Sequence, residues 1–267
     1  IQLKGFKQKM LVSSFKKGTS LSENTKIWLI SFFFGIASPA KSGEAARALY
    51  LRNAFGVSLG QGLAVVFVER VSDILILFIL AFLGIYSIAM PLANNNVLLP
   101  IVSIFFVFFI AALVLLLKKN LIKFILKPFF NLFAPEQYKR SLKEGFNDFY
   151  HSLFIYLGQP KFLIAFFVVS FFSWLVTFAQ FWLLSIAFSM NLNFLSFLFV
   201  FPVVVLVEAL PISVSGIGTR DAAAIVMFGL LGVSSAVAVS FSIAILAFNI
   251  ISAFFGFLFF NSTEKPI

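Results

Sequence analysis

Three ionisable side chains, Glu69, Arg70 and Asp73, stand within an otherwise largely apolar run from Leu63 to Leu83. A charge near the centre of a lipid bilayer costs roughly 2.5 to 3.5 kcal/mol on insertion scales, so it persists where it faces a wet cavity, a partner or a ligand. Glu69 and Asp73 share one face of a helix, while the long Arg70 side chain reaches towards a neighbouring helix. This pattern predicts that the chain handles a polar group within a membrane.

Two interpretations of these charges fit the sequence. A buried ion-pair network that only fixes helix packing would use the same residue types. In the functional interpretation, the carboxylates hold arginine side chains ready for an anionic headgroup, because a guanidinium group suits bidentate contact with phosphate.

Two further segments place small and helix-breaking residues before an acidic residue and an Ala-Ala pair. The candidate residues are Pro39, Gly43, Glu44 and Arg47 in the first, and Ser213, Gly216, Gly218, Arg220 and Asp221 in the second, which follows Pro211. A helix that begins after each turn would direct free N–H groups at a phosphate or carboxylate. Paired interrupted helices in two halves of a chain point to a transporter's midplane site.

The alternative is that both segments are ordinary loops in which Glu44 and Asp221 cap a first helical turn. Glu208, shortly before Pro211, is a further intramembrane acid, and both a packing role and a proton-coupling role fit it.

The composition places the chain among polytopic α-helical membrane proteins. Its residues are 61% hydrophobic and only 11% charged, and a water-soluble domain of this length would need a more charged surface. The chain has no cysteine and a single histidine, His151, so we predict no metal site, no cofactor and no catalytic residues. The net charge of +10 is assigned to membrane topology and anionic lipid headgroups, not to nucleic acid.

Four apolar segments are long enough to cross a bilayer, which takes about 20 residues. They are Leu63 to Met90, Val97 to Leu117, Phe162 to Met190 and Val233 to Phe260. Two segments, Ile27 to Ala37 and Phe194 to Leu210, are too short or interrupted. Both flanks of the first are basic, which a single crossing would violate. We therefore predict two opposed re-entrant hairpins, an arrangement typical of an inverted repeat.

These segments predict a single membrane domain over residues 1–260, multi-pass in the plasma membrane with its basic loops in the cytoplasm. Its parts are a basic cytoplasmic segment (1–26), the first hairpin and tip (27–56), two spans (63–117), a cytoplasmic amphipathic linker (118–160), further spans with the second hairpin (161–260) and a tail (261–267). The linker's apolar stripe predicts a helix on the inner leaflet. Trp28, Trp174 and Trp182 are interpreted as interface anchors or core packing.

In their order and spacing, the three motifs resemble the flippase-like membrane domain of lysylphosphatidylglycerol synthases and its stand-alone relatives. The matching patterns are Pro-x(3)-Gly-Glu-x(2)-Arg from Pro39, Glu-Arg-x(2)-Asp from Glu69, and Pro-x-Ser-x(2)-Gly-x-Gly-x-Arg-Glu from Pro211, in which Asp221 replaces the more usual Glu. Lys41 and Ser42 are a second departure. The resemblance covers the chain from about Phe6 to Phe260.

The resemblance implies opposed re-entrant helices and the movement of a lipid with an anionic, aminoacylated or glycosylated head between leaflets. We find no counterpart of the synthases' aminoacyl-transfer domain in this sequence, so we expect no synthase activity. The stretch from Phe6 to Ser20 resembles a family loop that follows earlier spans, so we expect one or two helices upstream.

The sequence therefore predicts a groove that shelters the polar or anionic head of a membrane lipid while the tails stay in the bilayer. The predicted lining is Glu44, Arg47, Glu69, Arg70, Asp73, Arg220 and Asp221. The main alternative is a membrane transferase acting on lipid phosphates, with one of these carboxylates as base. A third is an assembly factor whose charges only join helices. A second copy and a separate lipid-modifying enzyme are further partners to consider.

Overall fold

The computed structural model describes residues 1–38, 41–89, 98–118, 136–210 and 212–262, and the regular secondary structure of this part is helical. We number the helices α1 (Gln2–Ser13), α2 (Leu21–Ile36), α3 (Arg47–Phe55), α4 (Leu59–Ala89), α5 (Leu98–Leu117), α6 (Glu136–Leu157), α7 (Pro160–Ala187), α8 (Phe194–Glu208), α9 (Thr219–Gly229) and α10 (Ser235–Ser262). A short 3₁₀ helix, Ser42–Ala46, precedes α3. The prediction of a helical bundle is confirmed.

Each of the four predicted spans is a helix. Two segments, Pro160–Ala187 and Ser235–Phe260, are long and apolar enough to cross a membrane by length and composition. Helix α4 has 31 residues and carries the three ionisable side chains near its midpoint, and α5 has 20 residues. Because a helix rises 1.5 Å per residue, α4 extends over about 46 Å.

Each interrupted segment belongs to a helix that is followed by a tip and then by a second helix. Helix α2 leads through the first tip, which includes the 3₁₀ helix, into α3, and α8 leads through the second tip into α9. The backbone of the tips takes the left-handed conformation at Lys41 (φ 56°), Ser215 (φ 53°) and Gly216 (φ 74°). A left-handed residue cannot continue an α-helix, so the chain changes direction there.

Two large hydrophobic cores share α4, and a smaller cluster around Phe78 joins it to α5. One core joins the C-terminal half of α4 to α7, α8, α9 and α10, and its centre is formed by Phe178, Phe197, Phe228 and Phe241, which are fully buried. The other joins the N-terminal half of α4 to α1, α2, α3 and α6. The charged residues at positions 69–73 fall between the two cores, where α4 meets helices of both groups.

Helix α6 places its apolar stripe partly against protein. Tyr150 and Leu153 are buried, and the rings of Phe149 and Phe67 lie 5.6 Å apart, so the stripe packs on α4. Only part of the stripe is left exposed, for example Phe154, which is half exposed. The linker residues 119–135 and the tail residues 263–267 lie outside the described part of the chain.

Helix α6 is also tied to α1. The Tyr156 hydroxyl donates a hydrogen bond to the carbonyl oxygen of Leu11 at 2.9 Å. Burial raises the pKa of Tyr156 far above its ordinary value, so the phenol keeps its proton and remains a donor.

Candidate functional site

The first two motifs meet at Glu69, in the middle of α4. Its carboxylate is fully buried and accepts hydrogen bonds from the guanidinium group of Arg47 and from the Trp28 indole, the latter at 3.3 Å. Arg47, at the start of α3, is also fully buried, and its Nη2 lies 3.2 Å from Glu44 Oε2. Arg70 approaches the same Glu44 oxygen at 2.8 Å, so one carboxylate joins the two arginines.

Asp73, one turn after Glu69, is held by α1 and α7. Its Oδ1 lies 2.5 Å from Lys7 Nζ and accepts a hydrogen bond from the Trp174 indole at 3.0 Å. Lys7 is fully buried, and its Nζ is 4.0 Å from Glu69. The other carboxylate oxygen, Asp73 Oδ2, is buried and has no hydrogen-bond partner among the described residues.

The third motif forms a second charged cluster at the start of α9. Arg220 is buried, donates through Nε to Ser242 Oγ at 2.8 Å, and has its Nη1 3.7 Å from Glu208 Oε2. Asp221 accepts from the Gly218 backbone N–H at 3.0 Å and from the Ser242 hydroxyl at 2.5 Å. Asp221 therefore caps α9, as the simpler interpretation expected, and through Ser242 it also fixes Arg220.

The two tips touch each other. Lys41 Nζ, from the first tip, lies 3.0 Å from Glu208 Oε1 at the end of α8. The Ser215 hydroxyl of the second tip donates to the carbonyl oxygen of Ile36 at 2.5 Å. One ion pair and one hydrogen bond thus connect segments that are more than 160 residues apart in the chain.

Glycine is required where each tip approaches its neighbour. A Cβ atom at Gly43 would lie 2.2 Å from the Phe34 carbonyl oxygen, far inside van der Waals contact. At Gly216, which also has a positive φ, a Cβ would lie 2.6 Å from Glu208 Cγ. Larger residues would push both tips away from the charged groups that they position.

Two predicted residues have local roles, and two cannot be placed. Ser213 Oγ lies 2.7 Å from Thr219 Oγ1 within the second tip, and Gly218 supplies the N–H that Asp221 caps. Pro39 and Pro211 lie outside the described residues.

A cavity of about 160 Å³ lies between the first tip, the end of α8, α1, α4, α7 and α10. Its charged lining residues are Lys4, Lys41, Glu44, Arg70, Asp73 and Glu208. Thr177 and Gln180 of α7 and Asn249 of α10 add uncharged polar groups. A single water molecule needs only about 10–15 Å³, so the space suits a larger polar group.

The comparison with protein families agrees with the motif pattern. A family model described as the lysylphosphatidylglycerol synthase TM region matches residues 2–258. The chain belongs to this family. Searches of curated proteins and of solved structures each returned no match.

In this member of the family, the predicted residues divide into a lining and a support. Glu44, Arg70 and Asp73 line the cavity, and so does Glu208. Arg47, Glu69 and Arg220 are fully or almost fully buried and hold the lining residues in place. These three residues and Asp221 were predicted to line the groove, but none of them lines the cavity.

Sequence reasoning missed several residues of this TM region. Lys4 and Lys7 belong to the segment interpreted as basic and cytoplasmic, yet Lys4 lines the cavity and Lys7 is fully buried. Their spacing of three, which puts them on one helix face, was the only signal. Trp28 and Trp174 were interpreted as anchors or packing, but both also donate hydrogen bonds to carboxylates.

The site offers charged donors and acceptors for a ligand. In the described part of the chain, no three Asp, Glu or His side chains gather as metal ligands would. Instead, the carboxylates that line the cavity have cationic neighbours, as in the pairs Lys41–Glu208, Arg70–Glu44 and Lys7–Asp73.

Proposed function

We propose that this TM region moves a lipid with a polar head, whether anionic, aminoacylated or glycosylated, between the two leaflets of a membrane. The observation that supports this most is a cavity with a charged lining between apolar helices, which residues of the first two motifs line and which the third motif reaches through the contact of Arg220 with Glu208. The outer faces of α7 and α10 expose side chains such as Phe172 and Phe254, which suit contact with lipid tails. The head would lie in the cavity while the tails remain in the bilayer.

We propose further that α2–α3 and α8–α9 are re-entrant hairpins whose tips meet near the middle of the membrane. Irregular backbone is tolerated at that depth only where protein or a wet cavity shields it. The contact between the tips supports this arrangement, because each tip then covers polar groups of the other.

One ion pair is suited to open during transport. Lys41 is 28% exposed, whereas the side chains of the Arg47–Glu69 pair are fully buried. A partly wet pair costs less to break than a fully buried one, where each separated charge would lack solvation. Breaking Lys41–Glu208 would part the tips while the deeper pairs keep the helices together. Movement would be downhill or coupled to an ion.

Transport in reconstituted vesicles tests the proposal. The protein would be placed in phosphatidylcholine vesicles that contain trace lipids with a fluorophore on one tail and different headgroups. Dithionite bleaches the outer leaflet, so translocation shows as bleaching beyond half of the signal. We expect the protein to accelerate this for at least one headgroup, with the lipid mass unchanged. A changed mass would favour the transferase, and no acceleration for any headgroup would contradict the proposal.

A matched pair of variants connects transport to the cavity. Arg70→Gln removes a lining charge, and we expect it to slow transport roughly tenfold or more, as loss of a charge-assisted hydrogen bond does. Arg52→Gln removes an exposed arginine of α3 and should leave the rate unchanged. Equal transport rates for the two variants would show that transport does not depend on this charge of the cavity lining.

A further inference from the structure

The charged groups around the cavity and tips do not balance. The cations are Lys4, Lys7, Lys41, Arg47, Arg70 and Arg220, and the carboxylates are Glu44, Glu69, Asp73, Glu208 and Asp221. Within the described residues, each of these cations except Lys4 has a carboxylate oxygen within 4.0 Å. The surplus positive charge is therefore located at Lys4.

Lys4 is fixed where a ligand would meet it. Its Nζ lies 4.7 Å from the centre of the Trp174 ring, over the aromatic face, and the Trp174 indole in turn donates to Asp73 at 3.0 Å. A cation over an aromatic face is stabilised but keeps its N–H donors, which remain available to an anion.

Arg70 is a second donor on the same cavity. Its Nη2 contacts Glu44, but its Nε is buried without a hydrogen-bond partner in the described part of the chain. About a third of the side chain is exposed, and the residue lines the cavity. A guanidinium group with unused N–H donors matches the geometry of phosphate oxygens.

Resting on the proposed function, we infer that Lys4 and Arg70 form a phosphate subsite that binds the phosphodiester of the transported lipid. The unpartnered Asp73 Oδ2 would orient the lipid head, because a buried acceptor without a partner favours a ligand that also carries a hydroxyl or amine donor. The phosphate contacts Lys4 and Arg70, and the donor group of the same head contacts Asp73. Lys4 thus selects for phosphate, a role that no motif assigned to it.

Calorimetric titration of the whole protein in detergent tests this inference. The probes are dioctanoylphosphatidylglycerol, dioctanoylglycerol, which lacks the phosphate, and inorganic phosphate. We expect Lys4→Gln to weaken binding of the phosphodiester lipid roughly ten- to a hundredfold and to leave binding of dioctanoylglycerol unchanged. Lys4→Arg should restore affinity, and the exposed control Lys17→Gln should bind like the original protein. Thermal unfolding verifies that each variant is folded.

Two results would overturn the subsite. One is that folded Lys4→Gln binds the phosphodiester lipid with unchanged affinity. The other is that Lys4→Gln binds both lipids more weakly to the same extent, which would show that Lys4 supports the packing of the protein and does not recognise phosphate. If inorganic phosphate competes with the phosphodiester lipid in the original protein but not in Lys4→Gln, the result supports the subsite and shows that it also binds free phosphate. If the original protein transports lipid while Lys4→Gln keeps its affinity, the subsite fails and the proposed function stands. If the original protein transports no lipid, the proposed function fails by itself.

Discussion

At the scale of single residues, the charged side chains are stabilised by one another. Arg47 is fully buried between Glu44 and Glu69 and also donates to Ser31 Oγ at 3.0 Å. A buried charge is tolerated when it is paired and hydrogen-bonded, and it becomes costly when its partner is removed. We therefore propose that packing and ligand binding, the two functions first considered, are divided between different residues, with Arg47 in the packing role.

We predict that Arg47→Gln lowers the free energy of unfolding by about 3–5 kcal/mol, because Glu69 then lies buried without its arginine. Arg52→Gln, an exposed change in the same helix, should shift it by less than about 0.5 kcal/mol. Denaturant titrations in detergent measure both values. Similar stability of the two variants would show that the buried pair does not stabilise the fold.

The site residues that could be predicted are those whose charge differs from the apolar sequence around them. Glu69 and Asp73 were visible because carboxylates are rare in an apolar run. Lys7 was not visible, because a lysine near other lysines fits a cytoplasmic segment equally well. What distinguishes a buried Lys7 from a cytoplasmic one is its contact with Asp73, which is 66 residues away in the chain. The local sequence pattern carries no information about such a contact.

At the scale of elements, the breaks were easier to predict than the helix starts. Pro and Gly identified both tips, because neither residue suits a helix interior. The start of α2 at Leu21 was missed, since the residues before Ile27 are mostly polar. The structure explains this polar turn: Asn24 is fully buried against α1 and accepts a hydrogen bond from Gln8 at 3.2 Å.

Gly43→Ala tests the first tip. Its Cβ would collide with the Phe34 carbonyl, so we expect a loss of about 1–3 kcal/mol in stability and slower transport. Gly229→Ala is the matched control, because its Cβ would meet no atom within 4 Å and alanine suits a helix better. Thermal unfolding and the vesicle assay measure both effects. Equal behaviour of the two variants would argue against a close-packed tip.

Single cysteines test the first hairpin as a re-entrant element. The chain has no native cysteine, so Lys17→Cys and Ser58→Cys each provide one labelling site. We expect a membrane-impermeant maleimide to reach both from the cytoplasmic side, because the positions flank a hairpin that enters and leaves on one side. Labelling of the two positions from opposite sides would contradict the hairpin and show that the segment between them crosses the membrane once.

At the scale of the whole molecule, the contacts between the three motif-bearing segments could not be derived from the sequence. The pattern predicted which residues are special, but the contact of Lys41 with Glu208 depends on how α2–α3 and α8–α9 dock on α4. Such docking is decided by the packing of both hydrophobic cores together. The resemblance to a family suggested a shared site, and the structure supplies its geometry.

The contact between the tips leads to a charge-swap prediction. Lys41→Glu and Glu208→Lys should each slow transport at least tenfold, because each places two like charges about 3 Å apart. The double variant restores an ion pair between the two positions, but Arg220 then faces a lysine in place of Glu208, so it should recover only part of the rate. The vesicle assay measures all three, and a double variant slower than either single variant would contradict a role for this pair.

The most direct measurement is photo-crosslinking from the cavity wall. A photoreactive amino acid at Thr177, which lines the cavity, would be activated in native membranes, with Val176 on the outer face of the same helix as the control. We predict that position 177 captures the headgroup of a phosphorus-containing lipid, identified by mass spectrometry, and that position 176 captures lipid tails. Capture of tails alone at position 177, or of no lipid there, would contradict a cavity that holds the polar head.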